Sequence, residues 1–434
     1  MQYAMKNRSG CIARYVLLGL LLMGFFSACA SEQRSPANRF REHTFIAYWP
    51  PPEDNKQLRL AVKDLIDMKG VVTTAGSEYL AKRGSPASED AECLRLARER
   101  NVQLVGKTNL TEFAVTVSGK NKYFGTPSNR LDGEHKLIPG GSSSGSAVAV
   151  ETGMADVAFG TDTGGSIRLP AACCGVVGLK TTFGLVPLKG VFPISPKHLD
   201  TVGPMARDIA HTVQGMDLLQ GGFAGQYRSA VAANPSAKDI TIGRLYLDGT
   251  DPAIDKAIDE ALAAKSFKVV KLEPAFKAKW EQAQKDGKTV ALADAWLNDH
   301  KFTDNDGVAG TTKIVIGQGK LEYANNYKAA LRRQAAWQRD LRQIFNDVDL
   351  IALPTIQKLP PRFPIFGRNV VFELSVFDLQ NTVAVNFAGN PALAIPVPMP
   401  ANGHSAAVTS LQLIGPRLSE AELLNAGRLI ESKQ

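Results

Sequence analysis

The sequence contains few cysteine and histidine residues. Its 434 residues include five Cys and six His, with no C-x-x-C pair and no Cys/His grouping at zinc-finger spacing. This scarcity argues against a structural zinc site and a disulfide scaffold. Aromatic residues make up only 7% of the chain, but 44% of the residues are hydrophobic and 21% are charged. Such a balance excludes intrinsic disorder and is typical of a globular protein.

Part of the excess positive charge lies at the N-terminus. The formal net charge is +8, and Lys6, Arg8 and Arg14 precede an uncharged stretch at 15–28. This stretch is too short to span a bilayer. A basic flank, a short apolar run and then small residues are the layout of a secretory signal peptide. We therefore predict that residues 1–28 are removed, which leaves 434 − 28 = 406 residues with a charge of +8 − 3 = +5.

The predicted signal peptide ends in Phe26-Ser27-Ala28-Cys29, which resembles the lipobox of bacterial lipoproteins. The resemblance implies that Cys29 is lipidated, that polar residues 29–44 tether a domain to the membrane, and that the protein is exported to the bacterial cell envelope. Phe26 stands where Leu is usual. An ordinary secreted protein and an uncleaved anchor therefore stay open as alternatives.

Another group of positive charges falls in a predicted surface helix at 326–344. Lys328, Arg332, Arg333 and Arg339 are interspersed there with Asp and Gln. A solvated amphipathic helix is the more ordinary interpretation of this pattern than a nucleic-acid surface. We therefore expect no nucleic acid as a partner.

Strand and helix patterns alternate along the chain. Residues 58–62 alternate like a strand, residues 88–100 have helical spacing after a Ser cap, and residues 102–105 predict a second strand. This alternation favours an α/β fold. Strand patterns return at 348–353 and 392–397, so we expect the last part of the chain to rejoin the first sheet.

Two glycines directly before a serine give the first chemical signal. Gly164-Gly165-Ser166 follows an alternating run at 155–159 that predicts a buried strand. Glycines at this place let successive N–H groups point to one position, as in an oxyanion hole, where a serine hydroxyl is a candidate acyl-transfer nucleophile. Taken alone, the pattern is explained better by a plain glycine-rich turn.

A nucleophilic serine needs a base, and none of the six His lies near a Ser-rich loop in the sequence. Lys63 ends the apolar strand predicted at 58–62, where an amine is less well solvated than on a helix face. Burial lowers the pKa of a lysine from about 10.4 and so creates a useful neutral fraction. Lys63 is therefore a candidate base.

Three longer motifs surround these residues: LRLAVKDLIDMKGVVTTAG around Lys63, PGGSSSGSAVAV around Ser142 and GTDTGGSIRLPAACCGVVGLKTTFG around Ser166. Their order and their separations, 142 − 63 = 79 and 166 − 142 = 24, resemble those of the amidase signature family. HLDTVGPMARD at 198–208 and FAGNPALAIP at 387–396 resemble further segments of that family.

The resemblance implies one domain at 45–434 with α/β/α layers around a large mixed twisted sheet. It implies no cofactor and no metal. Residues 215–345 have little likeness to the family, so we expect them to be a variable part that covers the substrate. The short stretch before Lys63 resembles the plant indole-3-acetamide hydrolases.

The resemblance also implies an activity and its residues. The protein would hydrolyse a small-molecule carboxylic amide to an acid and ammonia or an amine. Ser166 would be the nucleophile, Ser142, with a cis peptide bond, would relay the proton, and neutral Lys63 would accept it. The backbone N–H groups of Thr163, Gly164, Gly165 and Ser166 would form the oxyanion hole, and Asp162 and Arg168 would form a structural ion pair. Ser143 would support the relay or cap a helix, and Ala114 would contact the substrate. Lys107 would be structural, and Cys173 and Cys174 would lie in the core.

Three other interpretations remain. Gly141 to Gly145 satisfy G-x-S-x-G, the nucleophile elbow of α/β-hydrolases, which would make Ser143 the nucleophile of an esterase. A catalytically inactive binding protein on the same fold is the second. The glutaminase component of a tRNA-dependent amidotransferase is the third, and the predicted export signal argues against it.

Overall fold

The computed structural model describes residues 43–52, 54–132, 134–364, 371–373, 376, 379, 381–399 and 408–431. The predicted signal peptide, the lipid attachment at Cys29 and nearly all of the tether lie outside these residues and stay predictions. The last two residues of the tether, His43 and Thr44, are exceptions. Thr44 is buried, and its carbonyl oxygen accepts a hydrogen bond from the N–H of Asn109 at 2.9 Å. The domain therefore already includes Thr44.

The described strands all belong to one sheet. They are Phe45–Tyr48 (β1), Arg59–Lys63 (β2), Gln103–Thr108 (β3), Val157–Asp162 (β4), Val177–Lys180 (β5), Thr201–Ala206 (β6), Thr241–Arg244 (β7), Lys268–Lys271 (β8), Leu350–Pro354 (β9), Ala392–Pro398 (β10) and Val408–Ile414 (β11). Their order in space is β1-β3-β2-β4-β6-β5-β10-β11-β9-β7-β8.

The α-helices of the described residues connect and cover these strands. They are Glu78–Arg83 (α1), Arg95–Glu99 (α2), Ser144–Glu151 (α3), Arg168–Cys174 (α4), Ile209–Leu219 (α5), Phe223–Ala233 (α6), Pro252–Ala264 (α7), Pro274–Asp299 (α8), Gly310–Asn325 (α9), Tyr327–Ile344 (α10), Val383–Ala388 (α11) and Glu420–Ile430 (α12). Of these described helices, none is both long and apolar enough to cross a membrane.

The central strands are buried on both faces. Leu60 and Val62 of β2 pack into one hydrophobic cluster, whereas Ala61 between them packs into another. Successive side chains of a strand point to opposite faces of a sheet, so the two clusters lie on opposite faces. The predicted α/β fold with layers around a large sheet is confirmed.

The sheet mixes parallel and antiparallel pairs and unites distant parts of the chain. β2 pairs in parallel with β3 and β4, whereas β10 pairs antiparallel with β5. The strands predicted at 348–353 and 392–397 are present as β9 and β10, so the prediction that the last part rejoins the first sheet is confirmed. The helix predicted at 326–344 is present as α10.

The helix predicted at 88–100 is wrong in its first half. The helical stretch begins only at Glu92 with one 3₁₀ turn, and α2 follows it. The backbone before it pairs with another loop: Ala87 exchanges hydrogen bonds with Gly70 and Val71, and the N–H of Ala91 donates to Asp67. These long-range bonds replace the helical bonds that the local sequence favours.

Gly203 of β6 tests how closely the central strands approach. It pairs with Gly160 of β4, and a Cβ at Gly203 would lie 2.0 Å from the carbonyl oxygen of Leu179. We expect Gly203→Ala to lower the free energy of unfolding by about 1–3 kcal/mol or more, because the backbone must move. In the control Gly317→Ala, the added Cβ on α9 meets no atom within 4 Å, so we expect a gain of up to about 1 kcal/mol. Thermal unfolding measures both, and equal stabilities would contradict this packing.

Candidate active site

Two parallel strands place Lys63 beside the end of β4. β2 ends at Lys63, and Val62 lies opposite Phe159 of β4. Because the carboxyl ends of neighbouring parallel strands meet at the same edge of a sheet, Lys63 reaches the last residues of β4. Its Nζ donates a hydrogen bond to Oγ1 of Thr161 at 2.8 Å.

The Lys63 amine is also bonded to Ser142. Nζ donates to Oγ of Ser142 at 2.7 Å, and both side chains are fully buried. Burial lowers the pKa of Lys63 to about 7, although the negative charges of Asp162 and Asp200 act in the opposite direction. Burial thus favours the neutral amine relative to an exposed lysine.

Ser142 lies in the loop directly before α3. Its peptide bond with Gly141 is cis. The next N–H, that of Ser143, donates to the carbonyl oxygen of Ser166 at 3.2 Å. This hydrogen bond joins the loop before α3 to the loop after β4. The structure thus brings Lys63, Ser142 and Ser166 into one site.

The loop between β4 and α4 folds around the carboxylate of Asp162. The N–H of Gly165 donates to this carboxylate at 2.8 Å, and the N–H of Ile167 donates at 3.1 Å. Gly165 has a φ of +139°, and a Cβ at this position would lie 2.6 Å from Oγ1 of Thr382. Glycine is therefore required at this turn.

Three of the four residues expected to form the oxyanion hole line a cleft: Thr163, Gly164 and Ser166. Their N–H groups have no hydrogen-bond partner within the described part of the chain. The N–H of Gly165 donates to Asp162 instead. Of the four expected donors, three are thus without a partner in the described structure, and the oxyanion-hole role itself stays a prediction.

Asp162 and Arg168 form a buried ion pair. Nη2 of Arg168 lies 2.9 Å from Oδ1 of Asp162, and both side chains are fully buried. Burial alone would raise the pKa of Asp162, but Arg168, Lys180 and the amide of Asn386 hold it well below its usual value. Arg168 also donates to Asn386 at 2.5 Å and to Gln412 at 2.7 Å. The carboxylate therefore stays ionised and keeps its bonds to the loop.

A largely apolar cleft opens in front of Ser166, with an empty volume of about 850 Å³ including its mouth. Its lining includes the segment 114–117 and residues of α8 and α9, which lie within 215–345. The apolar residues of the lining are Ala114, Val115, Val117, Ile194, Ala291, Leu292, Ala295, Val315 and Leu379. The charged and amide side chains on the lining are Lys288, Gln318 and Glu373.

Ala114 lies on this cleft in an unusual backbone conformation. Its φ is +57°, and that of Phe113 before it is +51°. The N–H of Ala114 donates to the carbonyl oxygen of Thr111 at 2.8 Å, and the ring of Phe113 stacks on that of Phe302 at 5.2 Å between centroids. These contacts fix the wall against which a substrate would lie.

Sequence reasoning missed Thr161, Asp200 and Thr382. Thr161 could have been found, because it stands one residue before Asp162 in a strand that runs parallel to that of Lys63. Asp200 lies in the quoted segment HLDTVGPMARD, but nothing local assigns it a partner. Thr382 donates to the carbonyl oxygen of Gly164 at 2.5 Å across 218 residues, and no sequence signal predicts that contact.

The other residues singled out in the sequence are structural in their surroundings. Nζ of Lys107 lies 3.0 Å from Oδ1 of Asp64, and both are buried. Cys173 and Cys174 are buried free thiols, and burial raises the pKa of each. Among the residues that the structure describes, no group of three His, Cys, Asp or Glu side chains could hold a metal ion.

The nucleophile elbow does not match the surroundings of Ser143. An elbow needs a strand directly before its serine, whereas Leu137 makes only one isolated bridge, to Arg362, and the described residues 139–143 contain no strand. Ser143 instead stands at the N-cap position of α3. Its hydroxyl does not cap the helix but donates to the carbonyl oxygen of Thr161 at 3.3 Å.

Comparison with known proteins agrees with this geometry. Residues 58–424 match the amidase family. The chain belongs to the amidase signature family. This amidase is 31% identical over 410 residues to a component of the glutamyl-tRNA(Gln) amidotransferase of Halobacterium salinarum, and the match covers 86% of this chain and 94% of that protein. It is 32% identical over 391 residues to 2-amino-5-chloromuconic acid deaminase of Comamonas testosteroni, and the match covers 86% of this chain and 81% of that protein.

Solved structures show the same fold. A crystal structure of an amidase superposes with a TM-score of 0.71 at 26% identity, over 86% of this chain and 83% of that one. The corresponding component of the glutamyl-tRNA(Gln) amidotransferase of Thermotoga maritima superposes with a TM-score of 0.73 at 25% identity, over 89% and 86%. Family membership makes this chain an amide-hydrolysing enzyme. The expected likeness to plant indole-3-acetamide hydrolases finds no support in these relatives.

Proposed function

We propose that this amidase hydrolyses a carboxylic amide to an acid and ammonia or an amine through an acyl-enzyme on Ser166. One observation carries the proposal: the fully buried Nζ of Lys63 lies 2.7 Å from Oγ of Ser142. A lysine with a pKa near 7 and a bonded hydroxyl is a suitable general base. The loop that carries Ser142 is hydrogen-bonded to the loop that carries Ser166.

The proposed reaction has two steps. Oγ of Ser166 attacks the amide carbon while Ser142 takes its proton and passes its own to Lys63. The proton then returns through Ser142 to the leaving nitrogen, the C–N bond breaks, and the acyl group stays on Ser166. Water next attacks the ester carbon and gives a proton through Ser142 to Lys63. That proton returns through Ser142 to Oγ of Ser166 as the ester bond breaks, and the acid leaves.

The backbone of the nucleophile loop would stabilise the negative oxygen formed in both steps. The N–H groups of Thr163, Gly164 and Ser166 have no partner in the described structure, so they can donate without first losing another bond. Donors that are already in place need no reorganisation as charge develops. Asp162 supports them indirectly, because it fixes the turn at Gly165.

The walls of the cleft favour an apolar acyl group. Apolar side chains from α8 and from the segment 114–117 line it. We propose that these walls bind the acyl side of the amide and that the leaving amine points toward the mouth. The variable part 215–345 would then set substrate choice, because it supplies α8 and α9.

Replacement of the nucleophile gives the most direct test. We expect Ser166→Ala to lower kcat at least about 1,000-fold and to abolish labelling by a fluorophosphonate, because no other hydroxyl takes the attacking position. The matched control Ser143→Ala removes only a 3.3 Å hydrogen bond, so a loss of less than about tenfold is expected. Labelling that persists in Ser166→Ala would refute the assignment, and an inactive Ser143→Ala would favour the esterase elbow.

The pH dependence tests the base. Only the neutral amine of Lys63 can accept a proton, so kcat/KM should rise with pH through one ionisation near the pKa of about 7 and level off above it. Lys63→Arg keeps a positive charge at every pH, so we expect a loss of at least about 100-fold that raising the pH does not restore. A profile that is flat from about pH 6 to 9 would contradict a lysine base.

A second candidate function is the glutaminase part of a tRNA-dependent amidotransferase. The relative from Halobacterium salinarum, named as one component of such an enzyme, favours it. The predicted lipoprotein signal favours the amidase that acts alone at the cell envelope. Mass spectrometry of the mature protein from bacterial membranes should find lipid on Cys29. An unprocessed N-terminus, with turnover of glutamine but not of arylacetamides, short aliphatic amides or amidated peptides, would favour the amidotransferase function.

A further inference from the structure

We propose that Asp200 is a positioning residue of this site: it holds Thr163 and the cleft-lining backbone next to it in place, and its negative charge acts on Lys63. The inference rests on the proposed function and extends it to a carboxylate outside the motifs around Lys63, Ser142 and Ser166.

Asp200 connects the nucleophile loop to another loop of the chain. The hydroxyl of Thr163 donates to Oδ1 of Asp200 at 2.6 Å. The N–H groups of Ile194 and Ser195 donate to Oδ2 at 2.9 and 2.8 Å. Both Asp200 and Thr163 are only 6% exposed. A buried carboxylate with three donors is held in one orientation, so it can hold Thr163 in turn.

The sheet register explains why these two residues meet. β6 begins one residue after Asp200, and β4 ends one residue before Thr163. The two strands are antiparallel, with Asp162 opposite Thr201. Asp200 and Thr163 are therefore the first residues beyond the same end of the pair. The hydroxyl of Thr163 is bonded to Asp200. The backbone N–H of Thr163 remains available to a ligand in the cleft.

The loop that carries Asp200 is fixed from its other side by the variable part. The hydroxyl of Ser195 and Nδ1 of His198 lie 2.6 and 2.8 Å from Oδ2 of Asp294 on α8. The hydroxyl of Tyr327 on α10 donates to Oδ1 of the same carboxylate at 2.6 Å. Hydrogen bonds and one short loop thus connect α8, which lines the cleft, and α10 to Thr163.

The charges around these groups decide what the removal of Asp200 would do. Asp162 and Asp200 are the charges that raise the pKa of Lys63 against the effect of burial. Asp162 is already neutralised by Arg168, whereas Asp200 has no cation within salt-bridge distance among the described residues. Burial raises the pKa of Asp200, its three hydrogen bonds lower it, and Asp294 raises it.

Asp299 completes the set of carboxyl groups near this loop. Its side chain is buried, and neither of its oxygens has a hydrogen-bond partner among the described residues. Burial raises its pKa to about 8, and the charge of Asp200 contributes in the same direction. Asp200 rather than Asp299 is the carboxyl group that is bonded to Thr163.

The positioning role is tested at Thr163. Thr163→Val removes the hydroxyl and nearly keeps the shape, so we expect kcat to fall about 10- to 100-fold with little change in KM, because a displaced oxyanion loop costs mainly turnover. Thr163→Ser keeps the hydroxyl and should be at least about fivefold more active than Thr163→Val. Equal activity of the two variants, or a Thr163→Val enzyme with the kcat of the parent, would overturn the proposal.

The electrostatic role is tested with Asp200→Asn. The amide can accept from both N–H groups and donate to the Thr163 hydroxyl, so the contacts survive while the charge is lost. We expect the acid limb of kcat/KM to move to lower pH, because Lys63 loses a negative neighbour that favours its charged form. A loss of structure alone would lower the activity without moving the midpoint of this limb. An unmoved limb in Asp200→Asn would overturn the electrostatic part.

The failures of this inference and of the proposed function can be told apart. If Ser166→Ala keeps its activity, the proposed function itself fails. If Ser166→Ala is inactive while Thr163→Val and Asp200→Asn behave like the parent enzyme, only the role of Asp200 fails. Thermal unfolding monitors the fold of each variant. If Asp200→Asn does not fold, the comparison of Thr163→Val with Thr163→Ser decides the positioning role by itself.

Discussion

The site depends on one amine that is buried without a carboxylate bonded to it. Nζ of Lys63 has two hydroxyl partners, Ser142 and Thr161. Lys107 on the neighbouring strand β3 is buried just as deeply, but it contacts the carboxylate of Asp64 at 3.0 Å. The two lysines on adjacent strands therefore differ in their partners, which are two hydroxyl groups at Lys63 and a carboxylate at Lys107.

The carboxylate of Asp162, whose charge raises the pKa of the Lys63 amine, is bonded to other groups. Arg168 and the amides of the nucleophile loop occupy its oxygens. One carboxylate thus shapes the loop, holds an arginine in the core and leaves Lys63 with hydroxyl partners only. This shared use explains why the aspartate, the two glycines and the arginine stand so close together in the sequence.

The features that were predictable from the sequence are local ones. The strands ending at Lys63 and Asp162 follow apolar runs, and the glycine-rich loops stand next to them, so periodicity and motif order were sufficient. Which amide donates to which acceptor was not predictable: Gly165 bonds to Asp162, and the residues around Ser88 pair with a distant loop. Those allocations depend on side chains and strands that meet only in three dimensions. The lining of the cleft belongs to the same class, because α8, α9 and the segment 114–117 are brought together only by the fold.

The partners of Arg168 have a consequence for the order in which the enzyme is assembled. Arg168 follows directly on the nucleophile loop, yet it is held by Asn386 and by Gln412 in β11, 244 residues further on. During synthesis the loop is made early, but its arginine has no complete set of acceptors until the last strand of the sheet has been added. The ability to attack an amide should therefore appear late and all at once, when the nearly finished chain closes the sheet, and not gradually as the catalytic motifs leave the ribosome.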